Sequence, residues 1–267
     1  MDKVIQFMED VTIIIQGKIE QETYDFCIKN YRNCPVIIST WVDCKIDFSN
    51  ITPNIRVILS PLPPTEGVQN LNYQLISTLN ALDCVNTKYT IKMRGDEFYS
   101  YPENIYQFTK SEPDKLHTSP IFFRAWQFAE YHISDHLISG TTDNMLILFK
   151  TTKANFDAGR LNVSKWKEDG VFKKYVSSHS PEERLTKSYL EAKEGISFES
   201  KDGRELMKKH FQILNINLLK PYKMKANLFK VEFRDNFIPE KNYSISDIDK
   251  LFSDEPYKIN EDDINIA

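Results

Sequence analysis

Residues 11–17 read VTIIIQG, and this short run decides how the chain folds. Val11–Ile15 are all β-branched, which favours a strand. The run does not alternate between apolar and polar residues, and this is typical of a strand buried on both faces of a parallel sheet. Gln16 and then Gly17 end it at a turn. A buried parallel strand is therefore predicted over residues 11–16.

Similar strand patterns recur along the first part of the chain and alternate with helical ones. Strands are predicted at 35–40 (PVIIST), 55–59 (IRVIL) and 89–93 (YTIKM). Helices are predicted at 23–31 and, more clearly, at 68–82, where Val or Leu recurs at three- and four-residue spacing and forms one apolar stripe. Strands separated by helices of this length indicate βαβ units with right-handed crossovers in a mostly parallel sheet.

The second half of the chain has a different pattern. Two aromatic, β-branched stretches over 122–140 have no helix between them, so antiparallel or edge strands are predicted there. Helices are predicted at 142–150, 181–193 and 203–214, and a strand at 227–233. The predicted fold class is therefore α/β, with a mostly parallel central sheet flanked by helices and with antiparallel strands in the second half.

Composition limits the kind of protein this is. The chain has 267 residues, of which 41% are hydrophobic and 27% charged, so it can bury a full core. A net charge of −4 makes neither nucleic acid nor an anionic membrane the expected partner. No stretch approaches the ~18 consecutive apolar residues of a membrane span, and the first residues do not form a signal peptide. The four cysteines form no CxxC pair, so free thiols in a reducing, cytoplasmic compartment are predicted.

The chain shows no sign of division into separate domains. It contains no internal repeat and no linker rich enough in Gly, Pro or Ser to separate two cores. Residues 1–252 are therefore predicted to form a single domain. Residues 253–267 are charged and weakly patterned, and a mobile tail is predicted there.

Polar residues follow each predicted parallel strand, which matters because open α/β sheets bind ligands outside the carboxyl ends of their strands. Gln16 and Gly17 follow the first strand, and Thr40 and Trp41 close the second. Ordinary turn chemistry explains these two segments when they are taken alone.

The segment after the strand at 89–93 is less ordinary. Lys92 and Arg94 alternate at the strand end, Gly95 permits a close backbone approach, and Asp96 and Glu97 follow. Charged groups beside a buried strand are costly unless they meet solvent, one another or a ligand. Arg and Lys neutralise phosphate oxygens and Asp supplies a hard oxygen ligand, so the segment suits a diphosphate with a divalent cation. A solvated turn with a local salt bridge fits the pattern equally well.

Several segments taken together resemble one protein family. They are VTIIIQGKI, VIISTWVD, NLNYQLISTLNAL, KYTIKMRGDEF, YHISDHLISGTTDNM and SPEERL. Their order and spacing are similar to those of the WavE-type lipopolysaccharide synthesis family, over roughly residues 11–191. Members of that family look like glycosyltransferases of the GT-A fold. The resemblance implies a GT-A-like (Rossmann-like) sheet and a glycosyltransferase that uses a nucleotide-sugar donor.

The resemblance also implies binding roles for the polar residues. Gln16, Gly17, Thr40 and Trp41 would line the nucleotide pocket. Asn70, Asn72 and Gln74 would contact the donor ribose and diphosphate, and the charge pattern at the end of the strand at 89–93 adds Lys92 and Arg94 as phosphate contacts. Tyr73 stands where the family pattern has a basic residue, which removes one phosphate contact.

The cation site implied by the resemblance departs from the wider fold. Arg94-Gly95-Asp96 stands where an Asp-x-Asp motif holds Mn²⁺ or Mg²⁺ in GT-A enzymes, so an arginine replaces the first carboxylate. Asp96 would hold the cation together with phosphates and water, with His136 as a second candidate ligand, or Arg94 would take over part of the cation's role. A lone histidine such as His136 is also commonly a structural residue.

Two carboxylates are the candidate catalytic residues. The resemblance places Asp135 near the donor sugar, where it would contact sugar hydroxyls; a turn or helix cap is the alternative. An inverting transferase needs a general base, usually Asp or Glu, and Glu182 is the second candidate. Acidic residues in the first turn of a helix are favoured by the helix dipole, so Glu182 fits a helix start at least as well.

The expected donor is a UDP-sugar, and the expected acceptor is a glycan or a lipid-linked molecule. Two other functions stay open. A nucleotidyltransferase acting on sugar phosphates would use a similar sheet and a metal-binding carboxylate, although no G-x-G-x-x-x-R loop follows the first strand. A non-catalytic nucleotide- or glycan-binding module would suit the replacement of a carboxylate by Arg94.

Overall fold

The computed structural model describes residues 8–99, 101–119, 131–161, 180–195 and 203–214, and the backbone of 221–223. The strands are β1 (Val11–Gln16), β2 (Val36–Trp41), β3 (Ile55–Ser60), β4 (Tyr89–Arg94), β5 (Phe98–Tyr99), β6 (Leu116–Thr118), β7 (Leu137–Thr141), β8 (Phe211–Ile213) and β9 (Pro221–Lys223). The helices are α1 (Gln21–Asn30), α2 (Leu71–Leu82), α3 (Pro102–Ser111), α4 (Thr142–Asp157), α5 (Pro181–Glu194) and α6 (Gly203–His210), with a 3₁₀ turn (Val68–Asn70) before α2.

Seven strands form one mixed sheet in the order β3-β2-β1-β4-β7-β6-β8. Strands β3, β2, β1 and β4 are parallel, β7 runs antiparallel to both β4 and β6, and β8 is parallel to β6. The predicted fold class, a mostly parallel sheet with antiparallel strands in the second half, is confirmed. Strands β5 and β9 form a separate antiparallel pair.

The register brings several chain segments to one edge of the sheet. Gln16, the last residue of β1, pairs with Ser39 on one side and with Arg94 on the other. The antiparallel β7 starts at this same edge, because its first residue, Leu137, pairs with Met93 near the end of β4. Residues that follow β1, β2 and β4 therefore meet the residues that precede β7.

The core lies on both faces of the sheet, and β1 shows why its sequence is apolar throughout. Ile14 belongs to a core cluster on one face of the sheet that includes residues of α2, α4 and α5, whereas Ile13 and Ile15 belong to the cluster on the other face, which includes residues of α1 and α3. All six residues of β1 are buried. Burying each of these isoleucine side chains stabilises the fold by about 1.5–3 kcal/mol. The continuous run at the start of the chain is thus the centre of a three-layer arrangement.

Two elements differ from their predicted form. The helix predicted over 68–82 begins only at Leu71, because Gln69 and Asn70 have φ angles of 48° and 65°, which no α-helix contains. Its apolar stripe nevertheless packs on the sheet as predicted, with Leu71 and Leu75 in the core. Residues 211–213, predicted as the end of a helix, form β8 because their backbone pairs with β6.

Other boundaries differ by smaller amounts, and some predictions fall outside the described residues. Helix α4 continues to Asp157, beyond the predicted end at 150, and both α3 and β6 were missed. The strand predicted at 227–233 and the tail predicted at 253–267 lie outside the described part of the chain. The single domain proposed for 1–252 therefore stays a prediction.

Two further findings concern the cysteines and the helices. All four cysteines are free thiols; Cys27 and Cys34 are buried and Cys44 and Cys84 are half-buried. Among the helices of the described ranges, none has both the length and the apolar character needed to cross a membrane.

Candidate functional site

A cleft of about 850 Å³ opens at the sheet edge where β1, β2 and β4 end. Ligand pockets typically measure about 300–1,000 Å³, so the cleft has the size for a small molecule. Its walls come from the loop after β1, the segment after β2, the first turn of α2, the post-β4 loop (residues 95–97) and the pre-β7 segment (residues 132–136). The residues singled out from the sequence that line it are Gln16, Gly17, Thr40, Trp41, Asn70, Gln74, Arg94, Asp96 and Asp135.

Two glycines allow the loops after β1 and β4 to meet. Gly17 has a φ angle of 92°, in the left-handed region that favours glycine. Gly95 donates its N–H to the carbonyl of Gln16 at 2.8 Å. A Cβ atom at position 95 would lie only 2.5 Å from the carbonyl oxygen of Lys18. The close backbone approach anticipated for Gly95 is therefore made by the chain itself, and it closes one wall of the cleft.

The side of the cleft next to β2 and α2 combines aromatic rings with a helix N-terminus. The rings of Trp41 and Tyr73 meet edge to face, with centroids 5.5 Å apart and planes at 61°. Asn70, at the N-cap position of α2, makes no side-chain capping bond and lines the cleft. The N-terminus of the twelve-residue α2 thus lies at the cleft and carries partial positive charge, although the N–H groups of Leu71 and Asn72 already donate to the carbonyls of Val68 and Glu66. Gln16 is tied to the same helix, since its Nε2 donates to Ser77 Oγ at 3.0 Å.

Arg94 and Asp96 form a two-point ion pair at the end of β4. Arg94 Nε donates to Asp96 Oδ1 at 2.9 Å, and its Nη2 donates to Asp96 Oδ2 at 3.0 Å. The two side chains are 28% and 26% exposed, and both line the cleft. The local salt bridge that the sequence offered as an alternative is therefore present. Both groups also face the space that a ligand would enter.

Asp135 is a buried carboxylate in the wall of the cleft, only 8% exposed. Its Oδ2 accepts a hydrogen bond from Gln74 Nε2 at 2.8 Å, whereas its Oδ1 has no hydrogen-bond partner among the described residues. Burial opposes ionisation of Asp135, but neighbouring positive charges, that of Lys92 foremost, hold its pKa below the ordinary value. A buried, ionised oxygen without a partner is costly, and a ligand hydroxyl or a cation would remove that cost.

Lys92 lies beneath the cleft and does not line it. Its side chain is fully buried, and its Nζ donates to the backbone carbonyl of Asp135 at 2.5 Å. Burial lowers the pKa of Lys92 to about 8, although the Asp135 carboxylate acts in the opposite direction. Lys92 therefore holds the pre-β7 segment in place, and this position lends no support to the phosphate contact predicted for it.

We expect the buried Lys92 to make stability depend on pH. The pKa of Lys92 is about 8 in the folded protein, whereas that of an unperturbed lysine, as in the unfolded chain, is 10.5. Between these values the unfolded chain binds more protons, so stability rises with pH. From pH 8 to pH 10 the unfolding free energy of the wild type should gain about 2 kcal/mol relative to Lys92→Met. Urea unfolding of both proteins at several pH values measures this, and parallel pH profiles would contradict it.

Asn72 and Glu182, two further residues singled out from the sequence, do not line the cleft. Asn72 braces the loop before α2, because its Nδ2 donates to the carbonyl of Thr65 at 2.8 Å. Glu182 lies in the first turn of α5, with its Oε2 3.7 Å from Nε2 of His132. Ser180 caps that helix by accepting from the N–H of Glu183 at 3.2 Å. The geometry of Glu182 is that of a helix start, and its catalytic role stays a prediction.

His136 is also outside the cleft lining, and its partner is a residue to which no role was assigned from the sequence. Nδ1 of His136 is hydrogen-bonded to Oε1 of Glu97, whose side chain is fully buried. The other oxygen of Glu97 accepts from the Tyr99 hydroxyl at 3.1 Å. The sequence signal that could have pointed to Glu97 is its position directly between Asp96 and the two aromatic residues Phe98 and Tyr99. Ligation of a metal by His136 stays a prediction.

The carboxylates at the ends of β4 and before β7 are the natural candidates for a cation site. Among the residues with described positions, no group of three or more His, Cys, Asp or Glu side chains is placed to hold a metal ion. Asp96 and Asp135 supply hard oxygen atoms from two sides of the same cleft. These residues therefore fit Mn²⁺ or Mg²⁺ where a bound diphosphate supplies the remaining oxygen ligands.

Comparison with known proteins gives a match to a family and similarities to solved structures. The model of a family described as WavE lipopolysaccharide synthesis matches residues 11–219. None of the curated proteins matches the chain. The mannosyltransferase PcManGT from Pyrobaculum calidifontis, in complex with GDP-Man and Mn²⁺, is similar with 10% identity and a TM-score of 0.36. That match covers 51% of this chain and 45% of the mannosyltransferase, which is less than half of its length. HddC from Yersinia pseudotuberculosis is similar with 10% identity and a TM-score of 0.34, over 50% of this chain and 77% of HddC.

Proposed function

We propose that this chain, which belongs to the WavE lipopolysaccharide synthesis family, is a glycosyltransferase that transfers a sugar from a nucleotide-sugar donor to a glycan or lipid-linked acceptor. The observation that carries the proposal is the cleft at the sheet edge. In one space it combines aromatic rings, a guanidinium group, a helix N-terminus and a buried carboxylate with an unbonded oxygen. Each of these groups suits one part of a nucleotide sugar.

The nucleoside of the donor fits the part of the cleft formed by the ends of β1 and β2. Trp41 offers an aromatic edge for a base, and Gln16 and Gly17 form the neighbouring wall. Thr40 is fully buried, and its Oγ1 has no hydrogen-bond partner within the described ranges. A hydroxyl of this kind gains a hydrogen bond when a base or ribose enters. A UDP-sugar is the donor we expect.

The diphosphate fits between Arg94 and the N-terminus of α2. A guanidinium makes strong, two-point hydrogen bonds to phosphate oxygens, and a helix N-terminus attracts the same anion. When Arg94 turns to the diphosphate, it gives up its two hydrogen bonds to Asp96. Asp96 would then hold Mn²⁺ or Mg²⁺ with the diphosphate, and the cation would neutralise charge that develops on the leaving group.

In the transfer itself, the bond between the anomeric carbon and the diphosphate breaks, and the acceptor oxygen bonds to that carbon. In a direct displacement the acceptor hydroxyl gives its proton to Oδ1 of Asp135, which acts as general base. Gln74 holds the other carboxylate oxygen, and Lys92 holds the backbone of the same residue. Arg94 stabilises the departing diphosphate through its charge.

The proposal predicts that one nucleotide sugar stabilises the protein against unfolding. In a thermal-shift screen of UDP-, GDP-, CMP- and dTDP-sugars with and without Mn²⁺, a donor at 100 times its Kd should add about 2.7 kcal/mol. The same donor should then be consumed in the presence of a suitable glycan acceptor. Binding without turnover would favour a non-catalytic module, and turnover of a nucleoside triphosphate with a sugar phosphate would favour a nucleotidyltransferase. No stabilisation by any nucleotide sugar would contradict the proposal. The predicted cytoplasmic location stays a prediction.

A further inference from the structure

A buried carboxylate–imidazole pair joins the two loops that carry the cleft carboxylates. Glu97 directly follows Asp96 in the post-β4 loop, and His136 directly follows Asp135 in the pre-β7 segment. The Glu97 and His136 side chains, hydrogen-bonded to each other, are 0% and 7% exposed. Neither is among the residues that line the cleft. The pair therefore lies behind the carboxylates rather than beside the substrate.

The Glu97–His136 pair lies beyond the point where backbone hydrogen bonds join β4 to β7. The ladder between β4 and β7 ends at the pairing of Met93 with Leu137. Asp96 and Asp135 lie just beyond that last pairing, where no further β4–β7 ladder bond fixes their separation. Two side-chain links continue beyond the ladder: Lys92 of β4 donates to the carbonyl of Asp135, and Glu97 is hydrogen-bonded to His136 and so joins the post-β4 loop to the pre-β7 segment.

The pair is itself anchored to the core. Tyr99 donates its hydroxyl to Oε2 of Glu97 at 3.1 Å, and the N–H of Tyr99 donates to the Tyr31 hydroxyl at 3.0 Å. Tyr31 in turn donates that hydroxyl to the carbonyl of Tyr99 at 2.7 Å. Within the pre-β7 segment, the N–H of His136 donates to Ser134 Oγ at 3.3 Å, and the Ser134 hydroxyl is hydrogen-bonded to that of Ser119, directly after β6, at 3.0 Å. Because its anchors are buried, the pair holds both loops to fixed parts of the fold.

Stability alone is a poor explanation for this arrangement. Burying a charged carboxylate costs several kcal/mol, and well-packed apolar residues of similar size commonly serve a fold as well or better. A buried, directional pair does, however, specify a single separation between the segments it joins. Reaction rates are sensitive to such a separation, because a 1 Å misplacement of a reacting group can reduce the rate about a hundredfold.

We propose that Glu97 and His136 are positioning residues that set the separation of Asp96 and Asp135 across the cleft. The proposal rests on the function proposed above, in which Asp96 serves the diphosphate and Asp135 serves the acceptor hydroxyl. Asp96 then acts at the bond that breaks, and Asp135 acts at the bond that forms. The pair acts through them and touches neither substrate.

The test replaces Glu97 by Gln, which keeps the size of the side chain but removes the charge that strengthens its bond to the imidazole. We expect kcat to fall about tenfold while donor KM stays within twofold, because the nucleoside contacts at β1 and β2 are untouched. Hydrogen exchange of the ligand-free protein should become at least tenfold faster in both the post-β4 loop and the pre-β7 segment. A structural role confined to one loop would speed exchange in that loop alone.

The matched control is Glu194→Gln, which changes a second carboxylate–imidazole pair, between Glu194 of α5 and His210 of α6. Since this pair lies away from the cleft, kcat and exchange in the two cleft loops should stay at wild-type values. If Glu97→Gln does not fold, His136→Asn carries the same test, because Glu97 then keeps its bond from Tyr99. Failure of both variants to fold would show that the pair is purely structural and would overturn the proposal.

The outcomes separate this proposal from the function on which it rests. Wild-type kcat in a folded Glu97→Gln protein, or unchanged exchange in either cleft loop, would overturn the positioning role while leaving the transferase intact. A wild-type protein that neither binds nor consumes a nucleotide sugar would overturn the proposed function, and with it the catalytic meaning of the pair. Faster exchange in both loops would in that case still show that the pair links them.

Discussion

The Asp135→Asn protein should fold and bind the donor, yet its turnover number should fall about a thousandfold. Loss of a positioned general base costs about 10²–10⁴ in rate, because the acceptor hydroxyl then attacks with its proton still bound. The fold should survive because the amide oxygen of Asn can still accept the hydrogen bond from Gln74. Steady-state kinetics with the donor identified by the thermal-shift screen measures the effect.

Gln74→Ala is the companion variant for this prediction. It leaves the Asp135 carboxylate in place but removes the bond that orients Oδ2, so we expect a smaller loss of activity, about tenfold, with weaker donor binding and little loss of stability. Wild-type turnover by Asp135→Asn would contradict the base assignment. A loss confined to donor affinity would instead make Asp135 a ligand of the donor sugar or the cation. Unfolding of Gln74→Ala would show that Gln74 is structural.

Asp96→Asn should reduce transfer by at least two orders of magnitude, equivalent to about 2.7 kcal/mol of transition-state stabilisation. The reason is that an amide supplies one weak oxygen ligand where the carboxylate supplies two charged ones. The variant should also lose the gain in donor affinity that Mn²⁺ produces in the wild type. Its fold should be nearly unaffected, because Asn has the size of Asp and its amide oxygen can still accept a hydrogen bond from Arg94.

Arg94→Ala is the control that separates phosphate binding from metal binding. Removing the guanidinium should raise the donor KM, since a phosphate contact is lost, but should leave the response to Mn²⁺ in place. It also removes a positive charge that competes with a cation for Asp96, so Mn²⁺ alone should stabilise this variant more than the wild type in a thermal shift. Full activity of Asp96→Asn would remove the metal-site assignment and leave Arg94 as a metal-free contact for the diphosphate.

Much of the sheet could be predicted because its strands carry their own signal. The β-branched run at Val11–Gln16 and the strands that begin near 36, 55 and 89 all lie within one or two residues of their predicted bounds. Parallel order then fixes which residues follow each strand, so Gln16, Thr40 and Arg94 had to meet at one edge. The cleft is in this sense a consequence of local pattern and chain order.

Boundaries that depend on distant partners could not be predicted in the same way. Residues 211–213 carry a pattern compatible with a helix, but pairing with β6 makes them a strand. The left-handed φ angles of Gln69 and Asn70 delay the start of α2 by three residues relative to the predicted start at Val68. For residues 211–213, pairing with a distant strand overrides a weak local preference.

The sequence by itself determined the fold class, the edge of the sheet at which a site would lie and the chemical types of the groups gathered there. Only the tertiary structure decided which of those groups face the cleft. Lys92 and Arg94 are two residues apart on one strand, yet one is fully buried under the pre-β7 segment and the other lines the cleft. Asp96 and Glu97 are neighbours in sequence, yet Asp96 lies in the cleft wall and Glu97 is buried behind it. Burial and hydrogen-bond partners belong to the packed assembly of strands and loops, and a charged residue in the chain carries no local signal of either.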